Sequence, residues 1–159
     1  KDSIAAFDFD KGIEQSSRLN FKSSRGFYES ANKLEPNNTI IINALGNVNA
    51  DLKDFEKSYE YFEKSLRIDS LDAITYLNYG FSRARNDEFN KAIELYNTGI
   101  SLERSGEKRG YFHYNMSRSY YQLYDDDNAK LHINKSIELV NDEVLKKEIL
   151  KFRETINEK

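Results

Sequence analysis

Two histidines, His113 and His132, are the side chains best suited to proton transfer or metal ligation near neutral pH. They stand 19 residues apart in a chain that has no cysteine. Neither the paired Cys/His spacing nor the short His–His spacing of a structural zinc site is therefore present. The run Asp125-Asp126-Asp127 concentrates carboxylates. It lacks the spaced ligands, central glycine and distal glutamate of a calcium loop, and it reads as turn and N-cap chemistry. There is no glycine-rich phosphate loop and no Gly-x-Ser-x-Gly elbow. No serine stands beside a histidine with a third orienting group. These residues predict no catalytic, cofactor or metal site, and a protein that is not an enzyme.

The elements that carry these residues follow from composition. The 159 residues are 38% hydrophobic, 13% aromatic and 32% charged, with one proline and seven glycines. So little turn punctuation argues against an all-β chain, and 11 Tyr with 10 Phe argue against disorder. A helical protein is expected. The formal net charge is −3, and the densest basic stretch, Lys146, Lys147, Lys151 and Arg153, is broken by Glu148 and Glu154. That is a solvated helix face, so no nucleic-acid partner is expected. No apolar run approaches the ~18 residues of a membrane span, and the start of the chain does not read as a signal peptide. Beginning at Lys1, it fits an excised domain or a mature form. The absence of cysteine leaves the compartment open, cytoplasmic or extracytoplasmic.

The strongest pattern is internal repetition. Leu45-Gly46 and Tyr79-Gly80 lie 34 residues apart. The same offset aligns Phe55 with Phe89, Ser58 with Ala92, Phe62 with Tyr96, Ser65 with Gly99 and Ile68 with Leu102. Backwards it finds Gly12, Phe21, Ser24, Tyr28, Ala31 and Leu34; forwards, after three extra residues around Gly106–Arg109, it finds Met116-Ser117, Ala129, Ile133, Ser136 and Leu139. Four units result, 5–38, 39–72, 73–106 and 110–143. Each comprises two helical stretches joined by a short polar turn: Leu52-Lys53-Asp54, Asn86-Asp87-Glu88 and Tyr124–Asp127 in the last three. Small and large residues at spacings of four and three share one helix face. The small ones let two axes approach while the aromatic fills the space beside them.

The pattern resembles the tetratricopeptide repeat, a 34-residue helix–turn–helix. Ile42-Asn43-Ala44-Leu45-Gly46 opens unit two, Tyr76-Leu77-Asn78-Tyr79-Gly80 unit three and Tyr111–Ser117 unit four, while Leu34-Glu35-Pro36-Asn37-Asn38 closes unit one. The resemblance covers residues 5–143 and implies an all-α, right-handed α-solenoid of antiparallel helix pairs. It also implies that His113 takes a large packing position and is partly buried. There are departures. The closing proline is Ser70, Arg104 and Asn141 in later units, and the first-helix tyrosine is Gln15, Asn49 and Arg83, surviving only as Tyr120. Arg83 is expected to snorkel or to meet a carboxylate. After the units, Asn141 reads as a helix cap, with Leu145, Ile149, Phe152 and Ile156 forming one apolar stripe over 142–156. Such a helix covers the open end of a stacked array, or alternatively docks a partner.

In the resembled family the first helices line a concave groove that holds a peptide or a partner's helix. Carried onto this chain, the groove would comprise Phe9 and Ile13; Ile40, Asn43, Asn47 and Asp51; Ile74, Leu77, Asn78, Phe81 and Arg85; and Tyr111, Tyr114, Asn115, Arg118, Tyr121 and Gln122. Asparagine both donates and accepts, so Asn43, Asn47, Asn78 and Asn115 suit a row reading an extended peptide backbone. The aromatics suit apolar side chains. The chaperone-binding subtype, which clamps a C-terminal carboxylate with Lys and Asn, is not expected. Asn47 and Asn78 match, but Asn43, Tyr111 and Asn115 occupy its basic positions, and Arg85 and Arg118 are the only groove cations. The expected function is protein or peptide binding without cofactor, metal or membrane insertion. A structural or self-assembly role within a larger chain or complex is the alternative.

Overall fold

The computed structural model describes residues 2–158, and in them finds nine helices and no strand. They are α1 (Asp2–Ser17), α2 (Phe21–Leu34), α3 (Thr39–Asp51), α4 (Phe55–Ile68), α5 (Ala73–Arg85), α6 (Phe89–Leu102), α7 (Gly106–Gln122), α8 (Asp126–Leu139) and α9 (Glu143–Asn157). Consecutive helices pack as antiparallel pairs. The pairs stack so that α3 touches α5 and α5 touches α7 along one side. The result is an all-α solenoid.

The first three pairs are each closed by an aromatic seated on a glycine. A Cβ added to Gly12 would lie 2.3 Å from the Tyr28 ring, one on Gly46 2.6 Å from Phe62, and one on Gly80 2.4 Å from Tyr96. No side chain fits at such distances, so these glycines are required for close approach of two helices. The adjoining serines satisfy themselves across the same seam. Ser24 Oγ donates to the Gly12 carbonyl at 2.8 Å, Ser117 Oγ to the Ala129 carbonyl at 2.7 Å, and Ser136 Oγ to the Gly110 carbonyl at 2.9 Å. Three apolar clusters then string along the array, around Tyr28–Ile41–Leu45, Ala92–Tyr96–Phe112 and Ile133–Ile149–Ile156.

The turns within the pairs share one device. Leu19, Lys53, Asp87 and Tyr124 all have φ near +60°. In the first, Leu19 N donates to Ser16 O and Asn20 N to Gln15 O, both at 2.9 Å. The other three repeat this double bond. It is a helix C-terminal motif that favours glycine at the left-handed position, here filled without any.

Three details differ from the sequence reading. The turn assigned to Tyr124–Asp127 is shorter, because α8 already starts at Asp126; Asp125 caps it, its side chain accepting from Asn128 N at 3.1 Å. The residues inserted around Gly106–Arg109 are helical and lengthen α7, whose cap is Ser105. Finally, α9 is capped by Asp142 and not by Asn141, the Asp142 carboxylate accepting from Leu145 N at 2.7 Å. The α9 stripe is turned inward: Ile149 and Ile156 are fully buried, with Leu145 and Phe152 packed on the same cluster. Its apolar face is occupied internally.

Candidate functional site: a trough across the first helices

The first helices of the pairs place their polar side chains on one surface because their apolar positions are committed to the seams. There, three adjoining cavities follow one another. The first, about 240 Å³, lies between α3 and α5 and is lined by Asn47, Asp51, Asn78, Phe81 and Arg85 among others. The second, about 270 Å³, lies between α5 and α7; it shares Phe81 and Arg85 with the first and adds Asn115, Arg118 and Gln122. The third, about 320 Å³, shares Arg118 and Gln122 and continues onto α9 through Glu148, Lys151, Phe152 and Thr155. Shared lining residues set the three side by side in one row, a trough along this surface.

Its groups have distinct states. Arg85 is tied to Asp51 at 2.6 Å and lies over the Phe81 ring at 5.8 Å, while that ring remains 41% exposed. Arg118 is exposed, rests over the Tyr114 ring at 5.6 Å, and forms no ion pair among the described residues. Tyr114 is buried and donates to Glu148 Oε1 at 2.9 Å. Burial, reinforced by that neighbouring carboxylate, pushes its phenol up to about 12. Asn115 Nδ2 donates to the Tyr111 carbonyl one turn back at 2.9 Å.

Of the residues expected to line the groove, Asn47, Asn78, Phe81, Arg85, Tyr114, Asn115, Arg118 and Gln122 border the trough. Others have different surroundings. Asn43 is buried, and its Nδ2 donates to Thr75 Oγ1 at 2.7 Å, while Thr75 donates to Asp72 at 2.6 Å. This ties α3 to the start of α5, so Asn43 leaves the proposed backbone-reading row. Leu77 packs against the cluster around Tyr96, and Tyr111 and Tyr121 against the one holding Ile149. The α9 residues were missed by the sequence reading because α9 was taken as a lid, or as a docking helix on its own, and not as a wall of the groove. Their alternation of charge with Phe152 was the available signal.

The histidines lie elsewhere, between α7 and α8. His113 and His132 are buried with their Nδ1 atoms 2.9 Å apart, and Tyr120 stacks on His132. One imidazole must donate and the other accept, so the accepting ring is neutral when the pair is bonded. Burial and the facing His132 pull His113 down to about 4, and burial lowers His132 as well. Among the described residues no group of three His, Cys, Asp or Glu is placed to hold a metal ion, and no helix is long and apolar enough to cross a membrane.

A family profile described as "Tetratricopeptide repeat" matches residues 41–70. No curated protein matches the sequence. Among solved structures, a crystal structure of MamA protein aligns over 99% of this chain and 88% of its own, with a TM-score of 0.71 and 19% identity. The PilF of Pseudomonas aeruginosa gives 0.76 over 87% of this chain and 62% of its own, at 20% identity. The structure titled as the APC/C hetero-tetramer Cut9-Hcn1 gives 0.75 and 18% identity over 92% of this chain and 29% of that one. At these identities the likeness carries the fold. The profile marks one tetratricopeptide repeat in this chain, over α3 and α4.

Proposed function

We propose that this array binds an extended segment of a partner protein in the trough running over α3, α5, α7 and α9. The observation that carries the reading is the row of three adjoining cavities, together with their chemistry. Asn47, Asn78, Asn115 and Gln122 supply paired donors and acceptors for a peptide backbone, and the half-open Phe81 ring offers an apolar contact. The fold supports this coarsely. It is that of an interaction module, and one structural neighbour is itself a subunit of a hetero-tetramer.

The test uses peptides selected from a random display library on the wild-type chain. The double variant Asn78→Ala/Phe81→Ala should bind them at least about tenfold more weakly, a loss of roughly 1.4 kcal/mol. Its melting temperature should stay near the wild-type value, since both side chains are partly open to solvent. Undiminished binding by a folded double variant would overturn the site.

A further inference from the structure

The seam between α7 and α8 differs in kind from those of units two and three. Where it holds His113, they hold Ile42 and Tyr76; where it holds His132, they hold Tyr61 and Leu95. The chain has no other histidine and no cysteine, so no other side chain ordinarily changes charge between pH 5 and 8. Both rings are buried and joined through their Nδ1 atoms at 2.9 Å, with Tyr120 of α7 stacked on His132. The charged groups acting on the pair are Arg109 of α7 and Lys135 of α8, and no carboxylate is among them. A first proton therefore adds a charge to a seam already faced by two cations. A second removes the acceptor on which the Nδ1–Nδ1 bond depends.

We propose that the His113–His132 pair is an acid-sensitive latch: lowering the pH from 7 to 5 raises the population in which α8 parts from α7 and carries α9 with it. Stacked repeats are held by neighbour contacts, so an end unit opens at lower cost than the whole array. α9 packs on α8, and its buried Ile149 and Ile156 share one cluster with Ile133 of α8. α7 keeps its own seat, since Phe112 is packed against Tyr96 of α6. Parted rings take up protons near the ordinary value, about 6.5, whereas burial holds the paired rings below it. The latch is thus closed above that value and favours opening below it. Its consequence rests on the reading of the trough as a peptide site. The parted form lacks the α9 wall of Glu148, Lys151, Phe152 and Thr155, so acid removes one end of the trough and a bound segment holds it shut.

Amide hydrogen exchange of the chain without peptide, followed by NMR at pH 7 and pH 5 and normalised to intrinsic rates, reads the latch directly. Protection of α8 and α9 should fall about twentyfold, the linkage of one histidine shifted from 6.5 to about 4. Protection of α2, α3 and α4 should change less than about threefold. Two histidine-free variants should abolish the fall. His113→Tyr/His132→Leu installs the residues of unit three, and His113→Gln/His132→Gln keeps a neutral hydrogen-bonding pair; if one does not fold, the other carries the comparison. An equal fall in every helix, no fall in α8 and α9, or a fall that persists without the histidines would each overturn the latch. A display-selected peptide at ten times its Kd should restore protection of α8 and α9 at pH 5 about tenfold. Unchanged protection, with binding that still depends on Asn78 and Phe81, would overturn the coupling to the trough. Peptide binding that ignores Asn78 and Phe81 would overturn the trough, while the exchange result still supports the latch.

Discussion

Arg83 occupies a position where the resembled repeat carries tyrosine, and its contacts account for the exchange. Its guanidinium lies 3.6 Å from the centroid of the Tyr59 ring, donates to Tyr79 Oη at 2.6 Å and to Glu88 Oε2 at 2.8 Å. It stacks like an aromatic while bridging two helices and their turn. Arg83→Ala should therefore destabilise by roughly 1–2 kcal/mol in chemical denaturation, from the lost stack and the lost hydrogen bonds to Tyr79 and Glu88. The histidine pair makes a second residue-scale prediction. The unfolded chain takes up protons near the ordinary histidine value, about 6.5, while folded His113 resists protonation down to about 4. Between those values the unfolded state binds more protons, so stability is fully present above the ordinary value and is lost as pH falls through this window. From pH 7 to 5 the loss should be on the order of 2 kcal/mol, and His113→Phe should flatten the profile. The sequence showed that His113 packs; it did not show that its neighbour is His132, because a 19-residue separation across two helices has no local signature.

At the scale of elements, the 34-residue period translates into glycine–aromatic seams, and two glycines give opposite expectations. Gly46→Ala would place a methyl 2.6 Å from the Phe62 ring, which is fully buried and cannot move freely. A loss of about 1–3 kcal/mol is expected from overpacking. Gly26, inside α2, has nothing within 4 Å of an added Cβ. Gly26→Ala should raise stability by about 0.5–1 kcal/mol through helix propensity alone. Urea melts of both variants check the pair, and a gain at Gly46 would contradict the close-approach reading. Helix pairing was legible in the sequence because the small and large residues recur at fixed spacing. The left-handed turn residues were not. Leu19, Lys53, Asp87 and Tyr124 share one conformation but no residue type, so the signal lies in backbone geometry and not in side-chain chemistry. The cap of α9 was misjudged by one residue for a related reason: in Asn141-Asp142, adjacent residues are equally good caps.

For the whole molecule, a hydrophobic share of 38% suffices because each helix buries only stripes against its neighbours. The α9 helix closes one end of the stack with Ile149 and Ile156 and also extends the trough by one wall. The solenoid was legible through the family resemblance that the 34-residue repetition carries. The trough's composition was legible only in part, since burial decides which asparagines face outward, and Asn43 and Asn78 look alike until Thr75 is seen beside the former. The most direct test of the central claim is an isotope-filtered NMR measurement of the labelled chain with a display-selected peptide. The account predicts intermolecular contacts at Asn78, Phe81 and Arg118 on α5 and α7. Contacts confined to the outer faces of α2, α4 and α6 would contradict it.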